Sequence, residues 1–384
     1  MKKNYLLPVY SKYDVKFKYG DGSYLFDNNG FKYIDLLGGI AVNIFGYNDF
    51  EINNAIINQI SQYTHLSNLF EIELQNIVAE KLATLSNLDY VFFTNSGTEA
   101  NEAAIKFARA WGHDKNKYKI IAFNGSFHGR TYGSLSATGQ SKFWNKFEPI
   151  LDGFVFADFN NFDSVLEVYD EKVCAIMLEP IQGESGIVVA DKEFLEKVYN
   201  FCKEKNILLI VDEIQAGMGR TGKFFAYQNY NIQPDIVTLA KGIANGLPLG
   251  ATISSKEVGD FLQPGMHGST FGGNPVALAV ANVVLKKLNH KLLERNIKVG
   301  KELKDKIKSI ETKYIKEVRG MGLMIGIEFT DEKNAKEIAK ELLKNHLVVG
   351  TSGDKILRLL PPYKISFNDI DKFVRILEKI LDYK

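Results

Sequence analysis

Cysteine is nearly absent from this sequence: Cys174 and Cys202 are the only two in 384 residues. One lies in an apolar run and the other in an amphipathic segment, so both read as small buried hydrophobes, and a disulfide framework is excluded. Net charge is almost absent too. Lysine and arginine total 47 against 46 acids, giving +1, which excludes the basic face that a nucleic acid or an anionic membrane requires. The expected partner is a small molecule. No run approaches the roughly 18 apolar residues of a membrane helix. The opening MKKNYLLPVY lacks the apolar stretch of a signal peptide, so a soluble, cytoplasmic protein is expected. Six scattered histidines without HExxH or paired Cys/His spacing give no metal site. Fixed-period repeats and Pro/Ser-rich linkers are also missing.

What remains is ordinary for a globular chain with more than one core: 45% apolar and 24% charged residues. The first fifty residues carry turn chemistry at Gly20-Asp21-Gly22 and Asn28-Asn29-Gly30, with aromatics alternating between, which predicts a hairpin of strands. From about residue 51, helical periodicity over 52–62, 71–84, 98–112 and 191–204 alternates with short apolar runs. These are Tyr90–Phe93, Ile120–Phe123, Gly153–Ala157, Ala175–Leu178, Ile207–Val211 and Ile236–Leu239. That alternation predicts an α/β fold with a mostly parallel central sheet. After Asn274-Pro275 one long helix is expected to about residue 310. Strands at 318–329, 348–350 and 356–360 and helices at 331–345 and 368–382 then make a smaller α+β unit. The expected division is a large domain over 51–275 and a small one from both chain ends, 1–50 and 276–384.

In such sheets functional groups collect at the carboxyl ends of strands. Four runs end in chemistry: Thr94-Asn95-Ser96-Gly97-Thr98-Glu99, Glu179-Pro180-Ile181-Gln182-Gly183-Glu184, Asp212-Glu213-Ile214-Gln215 and Lys241-Gly242. Lys241 after a buried strand is either a solvated helix-start residue or an amine whose buried setting lowers its pKa and lets it attack a carbonyl. Asp212 either caps a helix starting at Glu213 or holds a positive charge such as a protonated pyridine nitrogen. Ser96-Gly97-Thr98 opens a helix and is either a simple cap or a phosphate site. Two glycine-rich segments mislead. Gly217-Met218-Gly219-Arg220-Thr221-Gly222-Lys223 approaches the P-loop pattern but has Phe224 where a metal-binding hydroxyl is needed. The glycines over 320–326 lead into a strand, whereas a dinucleotide fingerprint opens a helix.

Taken together, residues 96–104, Phe127-His128-Gly129-Arg130, 179–184, 212–215, Ala240-Lys241-Gly242 and Ser269-Thr270-Phe271-Gly272-Gly273-Asn274-Pro275 resemble the class III, or ω-, aminotransferases. The resemblance follows the family's motif order along nearly the whole chain. Among the family's members it is most similar to those acting on N2-acetyl-L-ornithine in arginine biosynthesis. It implies fold type I and a homodimer with shared active sites. It also implies pyridoxal 5'-phosphate as cofactor, carried on Lys241 as a Schiff base, with Asp212 on the pyridine nitrogen. By the same resemblance Gln215 meets the ring hydroxyl, Phe127 lies on the ring face, and Glu213 and Ile214 are also cofactor-binding. Gly97 and Thr98 hold the phosphate, joined by Thr270 of the other subunit. Arg130 and Ser269 bind the donor's carboxylate end. Arg358 grips 2-oxoglutarate, and Glu184 masks Arg358 while the amine donor is bound.

Ornithine δ-aminotransferases place a tyrosine in the loop matching Leu37–Asn43. Here that loop has no aromatic, which leaves space for an N-acylated ornithine. Succinylornithine, N-succinyl-diaminopimelate, ornithine and 4-aminobutyrate are alternative donors. An aminomutase or racemase would share Lys241 and Asp212 but has no use for a glutamate–arginine switch, and a catalytically inert binding protein would have little reason to keep Lys241.

Overall fold

The apolar runs and amphipathic helices assemble around a seven-stranded sheet in the computed structural model, which describes residues 5–382. The outermost ends of the two terminal stretches, 1–4 and 383–384, lie outside the described residues. The chain enters through an antiparallel meander, β1 (Phe17–Asp21), β2 (Tyr24–Asp27) and β3 (Lys32–Asp35), folded at the glycine turns the sequence marks. An irregular turn, α1 (Gly38–Ala41), has positive φ throughout. It leads to α2 (Phe50–Ile60), capped by Asp49, and α3 (Glu73–Ser86).

The sheet region follows as β4 (Tyr90–Thr94), α4 (Gly97–His113), β5 (Lys119–Phe123), α5 (Tyr132–Ser136), β6 (Phe154–Ala157), α6 (Phe162–Val168) and β7 (Val173–Leu178). Next come a small hairpin, β8 (Ile181–Gln182) and β9 (Val188–Val189), then α7 (Lys192–Lys205), β10 (Leu208–Asp212), β11 (Ile236–Leu239), β12 (Gly250–Ser254) and α8 (Lys256–Gly259). Strand order is β4-β12-β11-β10-β7-β5-β6. All pairs from β11 to β6 are parallel, and only β12 runs against its two neighbours. Each predicted apolar run is a strand. The sequence reading missed β12, because Gly-Ala-Thr-Ile-Ser carries one large apolar residue and gives almost no hydrophobic signal. Strands β7, β10, β11 and β12 are buried at every position, as expected of a sheet covered on both faces.

The remaining chain forms α9 (Pro275–Lys287), α10 (His290–Lys308), β13 (Ile315–Met321), β14 (Met324–Phe329), α11 (Ala335–Lys344), β15 (Leu347–Val348), β16 (Gly350–Ser352), β17 (Ile356–Leu359) and α12 (Phe367–Asp382). Two expectations are corrected here. The single helix to residue 310 is two helices, because the Asn289 side chain accepts from Leu292 N and starts a new one. The strand expected over 318–329 is a hairpin folded at Gly322, which has φ 53°, and a Cβ there would lie 2.4 Å from the Arg220 carbonyl oxygen. Strands β13-β14-β17-β16 form one antiparallel sheet, whereas β15 pairs in parallel with β3, Leu347 opposite Ile34. Segments from opposite ends of the chain thus share one sheet. Among the described residues, no helix is long and apolar enough to cross a membrane.

Candidate active site

A cavity of about 420 Å³ opens where β4, β10 and β11 end, and Asp212, Lys241, Gly97 and Thr98 all line it. Asn95, Phe127, His128, Arg130, Glu179, Ile214, Gln215 and Val42 complete much of its wall. Chain segments far apart in sequence meet here because parallel strands all deliver their exits to one edge.

Asp212, the last residue of β10, is 4% exposed. No helix follows it, so it is not the helix cap the sequence allowed. Its Oδ1 instead accepts from Ile214 N at 3.0 Å within a turn. Its Oδ2 accepts from Asn101 Nδ2 at 2.7 Å and faces His128 Nδ1 at 2.8 Å. Glu179, the residue after β7, accepts from Phe127 N at 3.0 Å. Burial, followed by the nearby Asp212 charge, pushes its carboxyl well above the usual range.

Lys241 follows β11 with φ 47° and begins a short 3-10 turn over Lys241–Ala244. Burial holds its amine below the ordinary lysine value, against the opposing pull of Glu184 and Asp212. Lys241 thus borders the cavity and is not a solvated helix-start residue.

The N-terminus of α4 forms another wall. The Ser96 side chain accepts from Glu99 N, and Glu99 Oε2 accepts from Asn95 N at 2.6 Å. The first-turn N–H groups have no acceptor within the helix and favour an anion. Thr98 Oγ1 accepts from Arg130 N and Thr131 N and lies 2.7 Å from Thr131 Oγ1, so it ties the 127–131 loop to the helix. Arg130 is exposed, its guanidinium 4.3 Å from the Phe143 ring and 5.6 Å from that of Phe127.

Arg358, on β17, pairs with Glu184 at 2.5 Å (Nη1 to Oε1) and donates to the Gly183 carbonyl. Burial opposes ionisation of Glu184, but attraction to Arg358 outweighs it and holds the carboxyl below its usual value. Gln215 Nε2 is 3.5 Å from the same carboxylate, so the pair adjoins a residue of the cavity wall.

Five expected site residues do not line this cavity: Glu184 and Arg358, paired beside Gln215, and Glu213, Ser269 and Thr270. Glu213 is wholly buried, and its carboxyl oxygens accept from Ala226 N and Tyr227 N at 2.8 Å. Ser269 and Thr270 line a second cavity with His65, Asn68 and His267, although Asn95 Nδ2 reaches Ser269 Oγ at 3.2 Å. Conversely, the sequence reading gave no role to Asn101, His128, Glu179 or Thr238. Asn101 could have been noticed as the polar member of the row Asn101, Ala104, Ile105 and Ala108 on the buried face of α4.

A family profile described as "Aminotransferase class-III" matches residues 9–381. The chain is 44% identical to the acetylornithine aminotransferase of Aquifex aeolicus over 380 residues, 98% of this chain and 100% of that protein. It is 42% identical to that of Bacillus subtilis, over 98% of this chain and 97% of the other. Among solved structures, N-acetylornithine aminotransferase from Stenotrophomonas maltophilia superposes with TM-score 0.84 at 34% identity, covering 95% of each chain. Ornithine aminotransferase from Toxoplasma gondii superposes with TM-score 0.93 at 31% identity, covering 98% of this chain and 92% of that one.

Proposed function

This chain belongs to the class-III aminotransferases, and from that membership we infer its reaction. It moves the δ-amino group of N2-acetyl-L-ornithine to 2-oxoglutarate, a step of arginine biosynthesis, with pyridoxal 5'-phosphate as cofactor. The observation behind this reading is a lysine of lowered amine pKa in one cavity with a buried aspartate and a helix N-terminus.

The residues fit the cofactor. Gln215 Oε1 is buried, borders the cavity and has no hydrogen-bond partner among the described residues, so it can accept from a ring hydroxyl. A Cβ on Gly97 would lie 2.8 Å from Ile214 Cγ2, so only glycine lets the helix N-terminus sit this close to the wall. Gly97 and Thr98 would hold the phosphate, Phe127 and Ile214 the ring faces, and Asp212 the ring nitrogen. When bound, pyridoxal phosphate supplies an aldehyde that joins amines and a ring that withdraws electron density from the carbon bearing the transferred amine.

Burial shifts Lys241 Nζ toward its neutral form, which suits it to serve first as nucleophile and then as the base at the amine-bearing carbon. Asp212 holds the proton of the ring nitrogen in place. Arg130 receives the donor's carboxylate at the exposed rim. Arg358 receives 2-oxoglutarate, for which a planar fork of donors is suited, and Glu184 occupies Arg358 during the other half-reaction.

Ser269 and Thr270 act from a second copy of the chain, which makes the working form a homodimer with shared sites. In support, Leu69, Phe70 and Phe271, in or beside the segments that carry the second cavity, are 90%, 63% and 59% exposed. The same reading assigns cofactor binding to residues 51–275 and a smaller domain to the two chain ends.

Single-turnover absorbance of the cofactor-loaded protein tests the substrate. N2-acetyl-L-ornithine, ornithine, 4-aminobutyrate and succinylated donors are each mixed without keto acid. The acetylated donor should consume the bound chromophore fastest. A faster reaction with another donor would move the substrate assignment while leaving the family membership intact.

A further inference from the structure

Helix α4 meets the cavity at two levels. Its N-terminus forms part of the wall, and one turn later Asn101, wholly buried behind that wall, reaches Asp212, which lines it. Asn101 Nδ2 lies 2.7 Å from Asp212 Oδ2 and 2.7 Å from the His128 carbonyl oxygen. Both partners accept, so the amide nitrogen must be the atom on that side. Asn101 Oδ1 is left to the Thr238 hydroxyl at 2.7 Å, which must donate. Thr238, on β11 and also wholly buried, therefore fixes which way the amide faces, since a flipped amide would set oxygen against two oxygens.

The effect on Asp212 follows. Its Oδ2 is engaged by Asn101 and His128, and its Oδ1 accepts from Ile214 N, so the carboxylate cannot turn without losing bonds. The Asn101 amide carries no charge. It holds the carboxylate as an arginine or lysine could, but without cancelling its negative charge.

We propose that Asn101, oriented by Thr238, is a positioning residue for Asp212 that keeps the carboxylate's charge available to the ring nitrogen of the bound cofactor. The same helix thereby sets both ends of the cofactor, the phosphate at its first turn and the ring nitrogen at its second. The proposal rests on the reading of Asp212 given above.

The test uses pyridoxal phosphate labelled with 15N in the ring, loaded into the full-length protein. The nitrogen's chemical shift reports its protonation independently of turnover. Asn101→Leu removes the amide, and Thr238→Val removes one hydroxyl at nearly constant shape. Wild-type protein at neutral pH should show a protonated nitrogen. In Asn101→Leu the signal should move toward the unprotonated position, and the amine half-reaction should slow by about ten- to a hundredfold, the usual worth of a hydrogen bond to a charged group. Thr238→Val should move both in the same direction by less.

A fully protonated nitrogen in both variants would overturn the proposal and leave the role of Asp212 standing. If Asn101→Leu does not fold, an unshifted signal in folded Thr238→Val is sufficient to overturn it. An unprotonated nitrogen in the wild-type protein removes the Asp212 reading and the proposal together.

Discussion

Asp212 and Glu213 are adjacent acids at the end of one strand, 4% and 0% exposed, yet they serve different parts of the molecule. Asp212 looks into the cavity, where Asn101, His128 and the Ile214 amide surround it. Glu213 does not line the cavity and accepts the backbone N–H groups of Ala226 and Tyr227 below the 213–225 loop. Successive residues of a strand point to opposite faces, so one step in sequence separates a group available to a ligand from one that holds a loop. Burial pushes the Glu213 carboxyl up to about 8, with the nearby Asp212 charge adding to it. Burial and charge therefore do not mark the functional acid, and direction does.

Substitutions on the cavity side should injure chemistry and leave folding largely intact. The largest effect is expected for Lys241→Ala, which removes the proposed nucleophile and base together and should slow the amine half-reaction by about ten-thousandfold in stopped-flow absorbance. An unchanged melting temperature in that variant would sharpen the contrast with Glu213. Asp212→Ala should lower kcat/KM by about a thousandfold, roughly the 4 kcal/mol of a broken buried ion pair. A smaller loss than that of Glu213→Gln would break the comparison outright.

Glu184→Ala lies between these extremes, because its partner Arg358 is buried while Glu184 itself is a quarter exposed. The amine half-reaction should weaken by about tenfold, with a smaller loss in the 2-oxoglutarate half. Equal losses in both would remove the switch.

Glu213→Gln should change kcat/KM least, by about twofold or less, and should act on stability by about 1–2 kcal/mol. Its signature is the pH dependence of stability. The folded protein holds this proton up to about pH 8, whereas the unfolded chain releases it near the ordinary 4.5. The group's contribution is thus complete below about 4.5 and is lost as pH rises through about 8. Denaturant titrations across that window should slope downward in the wild type and less so in the variant.

The strand-end rule made Lys241, Asp212 and the 96–98 turn legible, because the apolar runs before them are short, dense and buried. It could not say that Glu213 faces away, since fully buried strands lack the alternation that reveals a face. Strand β12 was illegible for want of large apolar residues. The break at Asn289 was hidden by apolar and basic residues that continue a helical period across it. Asn101 was passed over because asparagine within a helix is usually solvated, and only the sheet beneath shows what it reaches. Ser269 and Thr270 line a second cavity of this chain, a separation that the 269–275 motif does not reveal.

The antiparallel direction of β12 has one further consequence. A parallel neighbour of β11 would have required a long crossover, whereas β12 returns at once, with Leu239 set opposite Ala251. Residues 240–249 are thereby a single loop anchored at both ends in adjacent strands, and Lys241 and Gly246–Leu249 of that loop line the cavity. Its length can change without shifting the register of any strand. Adding or removing a residue between Gly242 and Pro248 should alter the height of one wall while the strands before Lys241 and Asp212 keep their pairing.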